Sequence, residues 1–486
     1  MKSGLALTPE EFRKLGYQAV DMAAEYLAGL PASPVFHPML PEQREAMLTQ
    51  AMPERGLLPA DIFAYLGEQV LKHPMGNGHP RFFGWVNSPP ALLPAITELI
   101  AAAMNPSCAG GDHAAIYLEH CAVRWLMEVT GFPVERSMGL LVSGASVASI
   151  VALAAARHWA AEKSNYDIRA RGLARLSAPL RLYASTEAHS CIQKATELLG
   201  LGSESIRRVP VDAEFRIDVD ALRAAVLRDR ENGLLPFCVV ANAGTVSTGA
   251  IDPLWEIAAL CGELDLWLHV DGAYGAFGIL DPDAAERYRG LERADSLAID
   301  PHKWLSVPVE CGCVFVRDGE LLRNTFSLVP PYIRTEPGKG FGGLPWFSEF
   351  GIQQTRGFRA LKLWTTLASL GRDGLVEHVS RHRRLGRHLA SLIAGEPDLE
   401  LAAPVVLSIV CFRYRPRDGS GKPDQLDALN KRIMETLQSE GRVFVTNAVL
   451  NGRFVLRACI LHYGTTESDL AVLVDAVLDA GRRAAK

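Results

Sequence analysis

The sequence predicts an α/β protein built around a mostly parallel β-sheet. Between about residues 139 and 317, short runs that are apolar at every position alternate with segments of helical periodicity. Such runs are typical of strands buried on both faces, and the helices between them supply the crossovers that parallel strands require. Ligands of such sheets bind at the carboxyl ends of the strands, so polar residues there are the first candidates for function.

The overall composition excludes several classes of protein. The 486 residues are 48% hydrophobic and 22% charged, which is ordinary for a soluble globular chain with more than one domain. The formal net charge of −5 leaves no basic excess for phosphates, so we expect no nucleic-acid partner. Nine cysteines without a Cys-x-x-Cys pair indicate a reducing, cytoplasmic compartment and no metal site.

No targeting or membrane segment is evident in the sequence. The first ten residues lack the apolar core of a secretory signal. Residues 138–156 carry no charge and are about long enough to span a bilayer, but they contain two glycines and three serines. We predict a buried strand, a turn and a buried helix there, and no membrane partner.

The first 85 residues predict a helical arm. Thr8 is a good N-cap, Pro9 and two acidic residues follow it, and the helix should cover residues 10–27. After proline-rich segments, a second helix is expected at about 59–71. These elements are too few to bury their own apolar faces, so we predict that residues 1–85 pack on a second subunit.

Residues 86–374 should form the large domain, and residues 375–486 a smaller α+β domain. Helices at 94–104 and 117–129 open the large domain, and a helix at 358–370 closes it. Its predicted strands cover 139–142, 180–185, 206–211, 237–241, 266–270, 297–299 and 313–316, and the helices between them cover 146–160, 190–199, 218–230 and 253–261. The smaller domain should contain a helix at 375–394, a strand at 405–414, a helix at 425–440, strands near Val443 and Phe454, and a helix at 467–482.

The chemistry should converge on Lys303. The apolar run 297–299 predicts a strand that ends at Asp300 and Pro301, because proline has no N–H for sheet pairing. Lys303 follows, between the rings of His302 and Trp304. Packing between rings beside a buried strand predicts partial desolvation and a lowered amine pKa. A neutral amine can attack a carbonyl group, whereas an isolated loop lysine is most often simply solvated.

Three further polar segments end predicted strands. The sequence Ser-Gly-Ala-Ser at 143–146 places small residues and backbone N–H groups at a helix N-terminus, which favours an anion. His189 lies where a strand meets a helix, and Asp271 ends an apolar strand, a costly place for a carboxylate without a cationic partner. Taken alone, the first segment is a common turn and the histidine a common structural residue.

Together, the four segments suit pyridoxal 5'-phosphate. The helix N-terminus would hold the phosphate, and Lys303 would hold the aldehyde as a Schiff base. Asp271 would keep the pyridine nitrogen protonated so that the ring accepts electrons, and His189 can stack on the ring. The order and spacing of the segments are more specific than any one of them.

These segments are part of a longer resemblance. Over nearly its whole length the chain resembles the pyridoxal-phosphate-dependent group II amino-acid decarboxylases, close to the aromatic-L-amino-acid decarboxylases. The resemblance is carried by His-Pro-Arg-Phe-Phe at 79–83, Ala-His-Ser at 188–190, Gly-Thr at 244–245, His-Val-Asp-Gly-Ala-Tyr at 269–274, Pro-His-Lys-Trp at 301–304 and Phe-Arg-Ala-Leu-Lys-Leu-Trp at 358–364.

The resemblance implies a fold-type-I, aspartate-aminotransferase-like architecture and a homodimer with its active sites at the subunit interface. It assigns the Schiff base to Lys303, the pyridine nitrogen to Asp271 and the ring stack to His189. Further cofactor contacts fall to Ala145, Ser146, Ala273 and His302.

The resemblance also identifies Tyr332. Residues 326–334 and the glycine-rich 338–343 are similar to the family's mobile catalytic loop. The tyrosine of that loop protonates the substrate carbon after carbon dioxide leaves. The composition of the segment also predicts flexibility.

Five positions depart from the family pattern. Asp300 stands where members often carry asparagine, and because an acid beside a phosphate would be repulsive, we assign it no phosphate contact. Val246 replaces a common threonine, and Thr355 stands where animal members often have glycine or serine beside the substrate ring. Arg81 and Ser107 replace aromatic residues of the pocket. These departures leave the cofactor interpretation intact and bear on the substrate alone.

We therefore predict release of carbon dioxide from an L-amino acid, an aromatic one (phenylalanine, tyrosine, tryptophan or DOPA), to give the amine. Phe82, Phe83, Trp85 and Thr355 are candidate walls of the substrate pocket. The alternatives are an oxidative aldehyde synthase, a transaminase, a decarboxylase of histidine, glutamate or aspartate on the same fold, and an inactive scaffold. Retention of Tyr332 argues against the aldehyde synthase, and retention of the whole set of site residues argues against the scaffold.

Overall fold

The computed structural model describes residues 5–331, 334, 336, 339–417 and 421–484. The chain divides into two compact units, of which one contains residues 86–390 and 401–411. The other contains residues 1–85, 391–400 and 412–486. The interpretations of 1–85 as an arm on a partner subunit and of 375–486 as a separate small domain stay predictions.

A seven-stranded sheet forms the core of the unit that contains residues 86–390. Its strands are β1 (Met138–Val142), β2 (Leu180–Ser185), β3 (Ile206–Val209), β4 (Leu235–Asn242), β5 (Trp267–Asp271), β6 (Ser296–Ile299) and β7 (Gly312–Val316). Their order is β1-β7-β6-β5-β4-β2-β3. Neighbours from β6 to β3 are parallel, whereas β7 is antiparallel to both β1 and β6. The predicted α/β class with a mostly parallel sheet is confirmed.

The α-helices connect and cover the strands. In chain order they are α1 (Pro9–Gly29), α2 (Pro41–Leu48), α3 (Pro59–Tyr65), α4 (Leu92–Met104), α5 (Ala114–Thr130), α6 (Ala145–Lys163), α7 (Ile168–Arg171), α8 (Ser190–Leu198), α9 (Val219–Glu231), α10 (Leu254–Glu263), α11 (Gly319–Phe326), α12 (Arg359–Gly395), α13 (Pro423–Glu440) and α14 (Glu467–Ala484). Gly371 interrupts α12 with φ 61° and ψ −179°, so this segment is two helices, as the sequence predicted.

Local sequence explains where helices α1 and α9 begin. The Thr8 hydroxyl and the Glu11 carboxylate form a capping box at the start of α1. The Asp218 carboxylate accepts a hydrogen bond from the Ala221 N–H at 2.9 Å and so caps α9 as predicted. The uncharged stretch 138–156 forms β1, a turn and the start of α6, which is also as predicted. Among the described residues, no helix is long and apolar enough to cross a membrane.

The register of the parallel strands determines what meets at their carboxyl ends. All residues of β5 and β6 are buried, as expected for strands covered on both faces. Asn242 pairs with Asp271, and Asp271 pairs with Ala298. The segments that follow β4, β5 and β6 therefore leave the sheet side by side.

A four-stranded sheet holds the remaining strands. They are β8 (Leu399–Leu401), β9 (Ile409–Tyr414), β10 (Thr446–Leu450) and β11 (Arg453–Cys459), in the order β10-β11-β9-β8. The strand predicted at 405–414 begins only at Ile409, because the Ser408 N–H donates to the Tyr274 hydroxyl at 3.0 Å instead of to a neighbouring strand. The strand predicted near Val443 begins at Thr446, since Phe444 instead forms an isolated bridge with Phe82. The short helices α2, α7 and α11 and the strand β8 were not predicted.

Candidate active site

Lys303 lies in a tight turn directly after β6. Its N–H donates to the Asp300 carbonyl oxygen at 2.9 Å. The next residue, Trp304, is fully buried, stacks on Tyr274 with 5.1 Å between ring centroids, and donates its indole N–H to His382 Nδ1 at 3.1 Å. The backbone around Lys303 is therefore firmly anchored, while 25% of the lysine side-chain surface remains exposed to solvent.

The Lys303 amine interacts more strongly with negatively charged groups than the sequence suggested. Burial acts to lower the pKa of Lys303, as predicted. The Asp300 carboxylate, 2.9 Å from the amine, and the Asp271 carboxylate act in the opposite direction and prevail, so the pKa is raised. The prediction of a lowered pKa is wrong because it left out Asp300.

Asp271 is a buried carboxylate at the end of β5. Its Oδ1 accepts a hydrogen bond from the Ala273 N–H at 3.1 Å, and its Oδ2 lies 3.8 Å from the Cys191 thiol, which donates to it. Burial, followed by the Asp271 charge, raises the pKa of Cys191 to about 12, so the thiol keeps its proton. Among the described residues no cation forms an ion pair with Asp271, which suits the carboxylate to a cationic ligand atom.

His189 is the N-cap of α8. Its Nδ1 accepts a hydrogen bond from the Cys191 N–H at 3.2 Å, so the proton of the neutral ring lies on Nε2. Partial burial lowers the pKa of His189, and the nearby Lys303 acts in the same direction, against the opposing effect of Asp271. The imidazole is thus neutral near pH 7 and keeps part of its surface exposed.

The N-terminus of α6 lies beside Lys303. The Ala145 N–H donates to Asp300 Oδ1 at 2.7 Å, so a carboxylate already occupies one of the predicted phosphate contacts. Ser146 is exposed, and no described residue accepts a hydrogen bond from its N–H or hydroxyl. A helix N-terminus with a free donor is suited to an anion such as a phosphate.

His302 completes this group of residues. Its Nδ1 lies 2.9 Å from the Cys311 carbonyl oxygen and 3.2 Å from the Cys311 nitrogen, and its Nε2 lies 3.8 Å from Asp300 Oδ2. The structure therefore gathers the predicted cofactor residues at one edge of the sheet, and their chemistry fits pyridoxal 5'-phosphate. These residues are Lys303, Asp271, His189, Ala145, Ser146, Ala273 and His302.

The predicted pocket residues are divided between the two units. Thr355 is exposed and forms no hydrogen bond with any described residue. Phe82 and Phe83 are buried in the unit that contains both chain ends, where Phe82 stacks on Phe444 at 5.0 Å and Trp85 is 49% exposed. Tyr332 lies outside the described residues.

Sequence reasoning missed a buried ion pair next to Thr355. Arg356 and Glu119 pair with both side chains fully buried. Arg356 also donates to the carbonyl oxygens of Cys108 at 2.8 Å and Leu141 at 2.7 Å. The pair thus anchors the segment that carries Thr355 to β1. Nothing in the sequence links two residues so far apart, whereas the role of Asp300 could have been suspected from an acid directly after an apolar strand.

Comparisons with known proteins agree with this geometry. Residues 41–415 match the family described as pyridoxal-dependent decarboxylase conserved domain. The chain is 33% identical over 472 residues to aromatic-L-amino-acid decarboxylase of Bacillus atrophaeus, covering 97% of this chain and 95% of that protein. It is 28% identical over 478 residues to tyrosine decarboxylase 4 of Petroselinum crispum, covering 96% and 91%.

The fold is similar to that of a solved structure. A crystal structure of Oryza sativa TDC with PLP and tryptamine superposes with a TM-score of 0.92 at 27% identity, covering 99% of each chain. The predicted fold class and the predicted cofactor, pyridoxal 5'-phosphate, are thereby confirmed. The chain belongs to the pyridoxal-dependent decarboxylase family and is an amino-acid decarboxylase that uses pyridoxal 5'-phosphate.

Proposed function

We propose that the protein removes the carboxylate of an aromatic L-amino acid as carbon dioxide and releases the corresponding amine. The observation that carries this proposal is the meeting of Lys303, the buried Asp271 and His189 at one edge of the sheet, in a chain of this family. The substrate class is supported by the relatives, whose names specify aromatic amino acids and tyrosine, and by the tryptamine in the rice structure.

The chemistry depends on where electrons and protons are held. When bound, the cofactor supplies an electron sink for the pair left behind by the departing carboxylate. In our proposal Lys303 holds the cofactor covalently, and Asp271 holds a proton on the pyridine nitrogen. The Ala273 N–H and the Cys191 thiol fix the Asp271 carboxylate for this role, at 3.1 Å and 3.8 Å.

The other site residues would bind and orient the cofactor. Ser146 offers a free N–H and hydroxyl to the phosphate, with Ala145 beside it. The neutral, partly exposed ring of His189 is suited to stacking on a flat ligand. Ala273 and His302 would line the site.

Aromatic residues and one threonine are the proposed walls of the substrate pocket. The rings of Phe82 and Trp85 lie 6.1 Å apart between centroids. The neighbouring Arg81 lies 4.0 Å from Asp469, which balances its charge. Thr355 is proposed to contact the substrate ring because it stands where the resemblance places a residue beside that ring. The Arg356–Glu119 pair anchors its segment.

Tyr332 is the proposed proton donor. Loss of carbon dioxide leaves an electron pair on the substrate Cα, which must gain a proton before the amine can be released. A phenol on a loop that closes over the site can deliver this proton and exclude oxygen. The proposal rests on the resemblance of residues 326–334 to the family's catalytic loop.

A homodimer is proposed from exposed apolar faces. The exposed apolar residues of α4 are Leu92, Leu93, Ile96, Leu99, Ile100 and Met104, between 46% and 58% exposed. No residue of α1 is buried, although that helix also carries Phe12, Tyr17 and Val20. Several exposed apolar residues on one helix are typical of subunit interfaces, so we propose that residues 1–85 and α4 pack on the partner, with the active sites at the interface.

A cytoplasmic location is also proposed. Seven cysteines of the described residues are free, and six of them are buried: Cys108, Cys191, Cys238, Cys261, Cys311 and Cys313, with Cys121 partly exposed. Proteins of oxidising compartments more often pair their cysteines in disulfides, so free thiols support a reducing compartment.

An amine-release assay tests the proposed substrate class. We expect the purified protein to form amine and carbon dioxide from L-tyrosine, L-tryptophan, L-phenylalanine or L-DOPA, with kcat/KM at least about tenfold higher than for L-glutamate, L-aspartate or L-histidine. The D-isomers are the matched controls. Activity on the three non-aromatic substrates alone would refute the aromatic assignment, aldehyde and peroxide as main products would favour the aldehyde synthase, and no turnover would favour the scaffold.

Substitution of Tyr332 by phenylalanine tests the proton donor, because it keeps the ring and removes the proton. We expect amine formation to fall on the order of 10²-fold while carbon dioxide release continues. With oxygen present, one O2 and one water per turnover should instead yield aldehyde, ammonia and hydrogen peroxide. Tyr166→Phe, on a surface segment, is the control, and unchanged amine yield from Tyr332→Phe would show that the tyrosine only anchors its loop.

Two aspartates on the exposed face of α4 test the dimer. We expect the full chain to sediment as a dimer, and the variant Ile96→Asp/Ile100→Asp to sediment as a monomer with at least about tenfold lower activity, since charges on a buried apolar interface are costly. Leu198→Asp, at a residue 73% exposed on α8, should remain dimeric and active. A wild-type monomer, or a double variant that is dimeric and fully active, would contradict the proposal.

A further inference from the structure

Asp300 is a buried acid that the proposed function does not use. It follows β6 directly, and its side chain is 3% exposed. Its Oδ1 accepts a hydrogen bond from the Ala145 N–H at 2.7 Å, and its Oδ2 lies 2.9 Å from Lys303 Nζ. One carboxylate therefore joins the N-terminus of α6 to the lysine.

Close packing holds this carboxylate in place. A Cβ atom on Gly312 would lie 2.8 Å from Asp300 Oδ1 and 2.4 Å from the Gly144 Cα. Any side chain at position 312 would thus displace the carboxylate or the start of α6. The turn that carries Lys303 is closed by its own N–H, which donates to the Asp300 carbonyl oxygen at 2.9 Å. The backbone therefore holds the Asp300 carboxylate and the start of the Lys303 side chain close together.

We propose that Asp300 is a positioning residue that holds the Lys303 amine as an ammonium ion at the N-terminus of α6, so that the lysine must lose this proton before it can react with a carbonyl group. Only a neutral amine has the electron pair for that attack. The identity of the carbonyl group, the aldehyde of the cofactor, rests on the proposed function. The ion pair itself does not.

The groups around Lys303 do not cancel the attraction between the Asp300 carboxylate and the amine. The titratable groups that act on Lys303 are Asp300, Asp271 at the end of β5, His189 and Cys191 at the start of α8, and His302 beside it. Burial lowers the pKa of His302, and the pKa of His189 is lowered as well, so both rings are neutral above about pH 7. Burial raises the pKa of Cys191 to about 12. His189, His302 and Cys191 are therefore all uncharged between about pH 7 and pH 11.

Asp300→Asn separates the charge of Asp300 from its hydrogen bond. The asparagine retains an oxygen that can accept from the Ala145 N–H, but it lacks the negative charge that favours an ammonium ion. Asp295→Asn is the matched control. Asp295 precedes the same strand at its other end, and its carboxylate likewise accepts a backbone hydrogen bond, from the Leu268 N–H at 2.7 Å.

The protonation of Lys303 can be measured by trace acetylation. The full chain, freed of cofactor with hydroxylamine, is treated with a trace of acetic anhydride between about pH 7 and pH 11, and the Lys303 peptide is quantified by mass spectrometry against the exposed Lys431. We expect wild-type Lys303 to reach half-maximal labelling at a higher pH than Lys431. In Asp300→Asn this midpoint should fall by about 1 to 3 pH units, whereas Asp295→Asn should leave it unchanged.

Two results would overturn the proposal. A wild-type midpoint for Lys303 at or below that of Lys431 would do so without any variant, which also covers the case in which Asp300→Asn does not fold. An unchanged midpoint in a folded Asp300→Asn protein would show that Asp300 only caps α6.

Uptake of pyridoxal 5'-phosphate, followed by absorbance, distinguishes a failure of the ion-pair proposal from a failure of the proposed function. Under the proposal, uptake by Asp300→Asn extends to lower pH than uptake by wild type, and uptake with the same pH dependence in both proteins would count against it. If neither protein takes up pyridoxal 5'-phosphate but the labelling midpoint still shifts, the role of Lys303 in the proposed function fails and the ion-pair proposal stands.

Discussion

The shared carboxyl edge of β4, β5 and β6 is the constraint on which the rest of the site depends. Because the three strands are parallel and in register, Asp271 and the turn from Asp300 to Lys303 leave the sheet next to each other. In each crossover between parallel strands, the helix also begins at this edge of the sheet. The starts of α6 and α8 therefore bring Ala145 and His189 to the same place, although these residues are far apart in the chain.

The two acids at this edge of the sheet have different partners. The site contains two buried acids, Asp271 and Asp300, and the charges of both raise the pKa of Lys303. Asp300 takes the lysine and a helix N-terminus as its partners, while Asp271 is held by a thiol and a backbone N–H. Among the described residues Asp271 forms no ion pair, so it is the acid suited to a protonated ring nitrogen, and the two carboxylates have different roles because their surroundings differ.

Much of this arrangement could be predicted from local sequence patterns. The continuous apolar runs predicted every strand of the central sheet, and the polar residues after them pointed to Lys303, Asp271 and His189. The raised pKa of Lys303 could not be predicted from such patterns, because it depends on the conformation of a turn. The Arg356–Glu119 pair joins residues 237 positions apart, and the delayed start of β9 depends on a hydrogen bond to Tyr274. Contacts between distant segments decide such details, and periodicity does not encode them.

The most direct test of the account is to locate the covalent attachment of the cofactor. Borohydride reduction of the loaded enzyme, followed by proteolysis and mass spectrometry, should place one reduced pyridoxyl phosphate group per chain on the peptide that contains Lys303. The Lys303→Arg variant, which keeps a positive charge, should carry no label. Label on another lysine of the wild-type protein, or undiminished labelling of the variant, would contradict the assignment of Lys303 and with it the site described above.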